Sequence, residues 1–368
     1  MWVEIGIATI KALVVLLTVL PLAGALGWVE RKGSALIQDR IGANRAGIPL
    51  FGMNITLQGL VNTLMADPLK LLTKEDVTPR GADRFLHALA PVVNLFPALV
   101  TFAIVPFGDV LFIGDREINL QIAQLDVGIL YVLAMVSLGV YGVVLGGWAS
   151  NNRWSLLGGI RGSAQMISYE VAMGLSVVAM ILTYGTVELQ SMTRQQGHLI
   201  GGWVPAWGIL YQPVAFILFL TAGIAESKRV PFDLPESESE LVAGFFTEYS
   251  GSKHMLFFMT DFVEIIFVAA MVSTLFFGGW QVPYLFRDGF HFPWGTAIAL
   301  PNLVVAILEL LSFTVKMLFF CWFQIMLRWT LPRFRYDQLM RLGWKGMLPI
   351  ALANVLVTAV VILLVQGA

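Results

Sequence analysis

Eight apolar runs, each near the length that crosses a bilayer, constrain this chain more than any other feature. Spanning about 30 Å of hydrocarbon takes roughly 20 residues of α-helix. The runs fall at about 5–28, 88–108, 127–149, 165–187, 207–225, 255–279, 302–327 and 346–366. A length of 368 residues allows two or three soluble domains, but 57% hydrophobic and 13% charged residues do not fit a soluble chain. Frequent glycine and proline suit helices in lipid, where neighbours re-satisfy freed backbone groups. The pattern predicts an all-α polytopic membrane protein: a single membrane domain over 1–368, with eight transmembrane helices and both termini on one side.

Lysine and arginine in the connections set the orientation, because basic loops resist translocation. The first, third, fifth and seventh connections hold eight, two, three and five of them, whereas the others carry only Arg116, Arg194 and Arg287. The odd connections therefore face inward and both termini outward. The apolar start lacks a basic n-region and a small-residue cleavage site, so it reads as a retained first span. Trp203, Trp207, Trp280 and Trp294, near outer helix ends, read as interfacial anchors.

Two inward loops, 29–85 and 226–254, exceed what a connection needs. In the first, Leu57, Leu60, Val61, Leu64, Met65, Leu69 and Leu72 recur at helical spacing opposite Gln58, Asn62, Asp67 and Lys70. That spacing predicts an amphipathic interfacial helix.

Several chemistries are excluded. Twenty-three basic against 24 acidic residues leave a net charge of −1, with no excess for binding nucleic acid. The lone Cys321 cannot hold an iron–sulfur cluster or a structural zinc. The four histidines are scattered, so no metal site is expected in this chain, and no nucleotide-cradling glycine loop precedes a helix.

Charged residues inside the spans are more informative, since each costs about 2.5–3.5 kcal/mol at mid-bilayer on insertion scales. Glu170, Asp261, Glu264, Glu309 and Lys316 lie there. Asp261 and Glu264 share one helix face, as do Glu309 and Lys316, so both pairs can line a polar seam. The fifth connection, AESKRVPFDLPESESELVAGFFTEYSG, crowds Glu226, Asp233, Glu236, Glu238, Glu240 and Glu248 around Lys228 and Arg229, interleaved with Val230, Phe232, Leu234 and Phe245. Acids crowded against an apolar wall cannot all ionise, and some are expected to exchange protons near neutrality. A solvated acidic loop is the alternative, and the apolar interleaving argues against it.

ERK at 30–32, QDRIGANRAG at 38–47, ADPLKLLTKED at 66–76, SNNRWSLLGGIRGSAQMISYE at 150–170, the acidic loop and RWTLPRFRYDQLMRLGWK at 328–345 occur in that order. Together they closely resemble the H-subunit family of NADH-quinone oxidoreductase, respiratory complex I, from about residue 28 to 350. The resemblance implies a bacterial inner-membrane protein at the foot of the membrane arm, docked against quinone-site subunits of the hydrophilic arm. It also implies quinone as substrate, FMN and iron–sulfur clusters in partner subunits, and no cofactor on this chain.

Carried over by position, the resemblance assigns Glu30, Arg31, Arg40, Asp67, Lys70, Arg229, Phe232, Asp233 and Glu236 to the quinone passage. Glu238 and Glu240 border it and, with Glu170, Glu226, Asp261, Lys316 and Arg328, belong to the chain of charges that carries coupling inward. The sequence departs from the family at three places. Ala43 stands where the family usually has proline, and Asp261 and Phe262 where it commonly has glutamate and tyrosine. Glu264 and Glu309 match no family role. Arg333, Arg335, Arg341 and Lys345 read equally as topology determinants and as docking residues. Two other readings remain at this stage: the membrane anchor of a proton-pumping nickel–iron hydrogenase or formate hydrogen lyase, and a stand-alone ion or solute transporter.

Overall fold

The computed structural model describes residues 2–45, 47–50, 53–55, 57–114 and 116–366. The chain runs through α1 (Trp2–Ile37), α2 (Asp67–Thr73), α3 (Arg84–Val100), α4 (Gly128–Ala149), α5 (Arg153–Tyr184), α6 (Leu189–Gln196), α7 (Gly208–Tyr211), α8 (Pro213–Glu226), α9 (Glu238–Leu241), α10 (Gly251–Phe276), α11 (Asn302–Thr330), α12 (Tyr336–Arg341) and α13 (Leu348–Gln366). Short antiparallel hairpins dress the connections, the largest pairing Leu285–Phe286, Gly289–His291 and Ala297–Ala299.

Among the described residues, seven helical segments are long and apolar enough to cross a membrane: Val3–Ile37, Arg84–Ile104, Gly128–Ala149, Arg153–Tyr184, Gly251–Phe276, Asn302–Thr330 and Tyr336–Val365. The eighth expected span is not among them, because its helix is broken. Pro213 disfavours helical backbone at the residue before it, and Gln212 sits at φ −132°, ψ 59° between α7 and the 14-residue α8. The side chain of Gln212 is held at the break, donating to Thr358 Oγ1 at 2.8 Å and accepting from Asn354 Nδ2 at 3.0 Å.

The centre of the bundle is α10, whose residues from Thr260 to Phe276 are almost all buried against α1, α3, α8 and α11. By contrast α13 turns Leu356, Val360, Leu363 and Val365 outward, an apolar face suited to lipid or a neighbouring subunit. Close packing on the inner side rests on glycine. A Cβ at Gly142 would stand 2.6 Å from Asn94, and one at Gly158 would stand 2.7 Å from the backbone of Gly244, itself at φ +58°. The first approach seats α4 on α3; the second lets the acidic loop lie directly on α5.

Three boundaries differ from the sequence reading. Helix α1 continues to Ile37, so Glu30 and Arg31 stand on a helix and not in a loop. Helix α5 begins at Arg153, twelve residues before the expected span, with the Asn152 side chain accepting the Trp154 N–H at its N-cap. Helix α11 reaches Thr330 and carries Arg328. The amphipathic segment is also not one helix. It comprises a 3₁₀ turn at Leu57–Gly59, a π turn at Asn62–Ala66 and then α2, with Pro68 in the first turn of α2. Its apolar face is divided: Val61 is buried, whereas Met65, Leu69 and Leu72 are exposed.

Candidate functional site

The C-terminal ends of α1, α8 and α11 and the N-terminal half of α10 meet around the turn that follows Glu226. Lys228 adopts φ +53° there, a region that costs a non-glycine residue about 1–3 kcal/mol. That turn drives its side chain into the bundle, where it is 0% exposed. Its ammonium donates to Glu264 Oε2 at 2.9 Å and Oε1 at 3.1 Å, and Asp261 Oδ1 lies 3.4 Å away. Burial alone would lower the Lys228 pKa, but the two carboxylates outweigh it and hold the pKa above the usual lysine value.

Beside it, Arg229 donates from Nη1 to Glu30 Oε2 at 3.0 Å and lies with its guanidinium 4.2 Å from the centroid of the Phe262 ring. Glu30 also accepts from Arg328, so one carboxylate joins α1, the acidic loop and α11. Asp233 pairs with Arg333, and Arg161 pairs with Glu240 at 2.6 Å, tying the loop to the segment after α11 and to α5. Glu236, partly buried among these groups, has its pKa pushed up to about 8 by burial and then by Asp261, against the opposing pull of Arg229 and Lys228.

Glu226 closes α8 with both carboxyl oxygens buried and no hydrogen-bond partner among the described residues. With Glu264 and Asn94, whose amide is likewise unpartnered, it lines a cavity of about 30 Å³. The rest of its lining is largely apolar, including Met135, Met173, Phe219 and Phe267. Glu170, hydrogen-bonded to Ser137 on α4, is near enough for its charge to act on Glu226, as is that of Glu264.

Two surface depressions flank α1. One, of about 260 Å³, is lined by Glu30, Arg31, Ser34, Arg40, Gly42, Ala43 and Trp329. The other, of about 250 Å³, is lined by residues that include Arg31, Thr63, Asp67, Lys70, His254 and Phe258. Arg31, ion-paired with Asp67, is common to both. The Arg40 Nε donates to its neighbour Gln38 at 2.7 Å.

The structure thus gathers Glu30, Arg229, Asp233, Glu236, Asp261 and Arg328 into one cluster, with Arg31, Arg40, Asp67 and Lys70 around the neighbouring depressions and Glu226 and Glu170 behind it. Phe232 is buried between Tyr169 and Phe334, where its ring packs the loop. The side chain of Glu238 lies outside the described residues. Lys316 stands apart, donating to the carbonyls of Gly279 and Gln281 beyond the end of α10. Glu309 belongs to an outer cluster, accepting the Asp109 backbone N–H at 2.9 Å, while the Asp109 carboxylate binds Arg194 and Arg287.

Sequence reasoning passed over Lys228 as a site residue and left Glu264 without a role. The available signals were the basic pair inside an otherwise acidic loop and the three-residue spacing from Asp261.

A family model described as NADH dehydrogenase matches residues 10–359. The chain is 46% identical over 361 residues to the NADH-quinone oxidoreductase H subunit 1 of Geobacter metallireducens, covering 98% of both chains. It is 47% identical over 362 residues to the H subunit 2 of Geobacter sulfurreducens, again covering 98% of both. To the H subunit of Thermomicrobium roseum it is 44% identical over 363 residues, covering 98% of this chain and 97% of the relative.

Proposed function

Since the chain belongs to the NADH dehydrogenase family, as an H subunit of NADH-quinone oxidoreductase, we propose that its inward cluster walls part of a quinone site and starts the proton relay that quinone reduction drives. It is a multi-pass membrane component of the H⁺-translocating enzyme, and the hydrogenase-anchor and transporter readings are set aside.

The observation that carries the proposal is Lys228 and Arg229 held by Glu30, Asp261 and Glu264 directly behind the depressions around Arg31. Quinone enters along Arg31, Arg40, Asp67 and Lys70, and its head group approaches Arg229, Asp233 and Glu236. FMN and iron–sulfur clusters in partner subunits of the hydrophilic arm supply the electrons. A doubly reduced quinone is basic and takes up protons. Glu236, which carries a proton up to about pH 8, is placed to give one up.

The charge change then acts on Asp261, Glu264 and Lys228, and through the cavity on Glu226 and Glu170. Moving a charge against the membrane potential costs about 2.3 kcal/mol per 100 mV, which the redox step must supply. Phe232 positions the loop, and Arg328 anchors Glu30. The whole chain forms one membrane domain in a bacterial inner membrane, with both termini outward and the cluster inward.

The test is to extract the tagged chain in mild detergent and assay flavin, iron and nickel with the co-purifying subunits. Flavin with iron and no nickel is expected, and cysteines placed at residues 3 and 365 should react with an impermeant reagent from outside. Nickel without flavin, or a lone chain from intact extracts, would contradict the assignment.

A further inference from the structure

We propose that Lys316 is a positive charge that closes the seam between α10 and α11 to protons and cations, separating the inner acid network from the outer carboxyl of Glu309. The inference rests on the reading of Asp261 and Glu264 as proton-carrying groups.

The levels along α11 place the three groups in order. Gln324 donates to the carbonyl of Ile265 at 3.2 Å, which puts it at the depth of Glu264. Lys316 lies eight residues nearer the outer end, about 12 Å at 1.5 Å per residue, and Glu309 a further seven residues, about 10 Å. The seven-residue spacing puts Glu309 and Lys316 on one helix face. Glu309 in turn meets the outer surface through Asp109, whose partners Arg194 and Arg287 are exposed. A proton moving outward along this face from Glu264 to Glu309 passes Lys316.

From Ile265 to Phe276, α10 presents no titratable side chain, and the hydroxyls of Ser273 and Thr274 donate to carbonyls of their own helix. The Lys316 amine is fixed by acceptors alone: the carbonyls of Gly279 at 2.9 Å and Gln281 at 2.6 Å, with the Trp207 ring centroid 5.0 Å away. Carbonyl oxygens and an aromatic face are contacts that suit an ammonium group. No carboxylate among the described residues lies within ion-pair distance to neutralise it. The carbonyls belong to the non-helical stretch after α10, whose backbone needs partners at this depth. A cation held between α10 and α11 raises the barrier for protons and other cations that enter there, as charged constrictions do in selective pores.

The test uses the assembled complex in proteoliposomes with no NADH or quinone, and reads the decay of an imposed pH gradient at clamped voltage. Lys316→Gln removes the charge. Ser312→Asp, one turn away, places a carboxylate beside it and spares both lysine hydrogen bonds, and Ser312→Ala controls for the lost hydroxyl. Lys316→Gln and Ser312→Asp are expected to speed the decay about tenfold, with Ser312→Ala matching the parent. An assembled Lys316→Gln complex as tight as the parent would overturn the proposal. Where that variant does not assemble, a tight Ser312→Asp complex would do so, as would a Ser312→Ala complex that leaks as fast as Ser312→Asp. Because no turnover is involved, the result is independent of whether the inner cluster relays protons during quinone reduction.

Discussion

The Lys228 ammonium bridges the carboxylate of Glu264, at 2.9 and 3.1 Å, to that of Asp261 at 3.4 Å, and none of its side chain reaches solvent. One cation therefore compensates two acids on successive turns of α10. Removing one member of a buried pair costs about 3–5 kcal/mol because the remaining charge stays desolvated. Lys228→Met should sharply reduce the amount of assembled complex resolved on native gels, and adding Glu264→Gln should restore part of it. Parent-level assembly of the single variant would contradict this role.

Glu236 sets a pH dependence. Burial and Asp261 favour its neutral form over the pull of Arg229 and Lys228, with Asp233 reinforcing the acids, so it holds a proton below about pH 8 and is charged above it. If it donates to reduced quinone, turnover should fall on an alkaline limb near pH 8. Glu236→Gln should lower turnover and abolish that limb, since an amide does not titrate. An unchanged limb in the variant would assign it to another group.

Glu30 is shared by Arg229 and Arg328, and its loss leaves two guanidinium groups facing each other. Glu30→Gln is expected to raise the apparent quinone KM about tenfold, the effect of losing one charge-assisted hydrogen bond. Arg229→Lys should raise it too, because an ammonium cannot lie flat on Phe262 while still reaching Glu30. Arg40→Ala, on the rim of the depression, should raise it less. Steady-state kinetics with a soluble quinone checks all three.

At the other end of α11, Asp109→Asn should weaken the hold on Arg194 and Arg287, lowering stability by about 1–3 kcal/mol. The quinone KM should stay at the parent value, since the cluster lies across the membrane from the passage. A shifted KM with an unchanged melting midpoint would reverse that division of labour.

Hydropathy found the crossings because lipid selects apolar residues wherever a helix faces it. It misplaced the inward ends because it measures lipid contact and not helix length. Glu30, Arg31 and Arg328 lie on helical turns that continue past the apolar runs. The break at Gln212 was masked by an apolar composition that continues on both sides of it. Within the site, crowding of acids around Lys228 and Arg229 was legible as charge. Which acid pairs with which base was not, because Glu30 and Arg229 are 199 residues apart and meet only once α1 packs beside α10. The contacts of Phe232 were likewise not legible, since Tyr169 and Phe334 are brought to its ring only by the packing of α5 and the segment after α11.

The central residue is Glu226, which lines the cavity shared with Glu264 and Asn94 and whose two carboxyl oxygens are buried without a hydrogen-bond partner among the described residues. The most direct measurement is NADH oxidation by membranes carrying Glu226→Gln, with quinone and with an artificial acceptor that draws electrons upstream of the membrane arm. The account predicts at least about a tenfold loss with quinone, equivalent to 1.4 kcal/mol, and parent rates with the artificial acceptor. Equal quinone turnover in variant and parent membranes would remove Glu226 from the relay and contradict the coupling proposed for this protein.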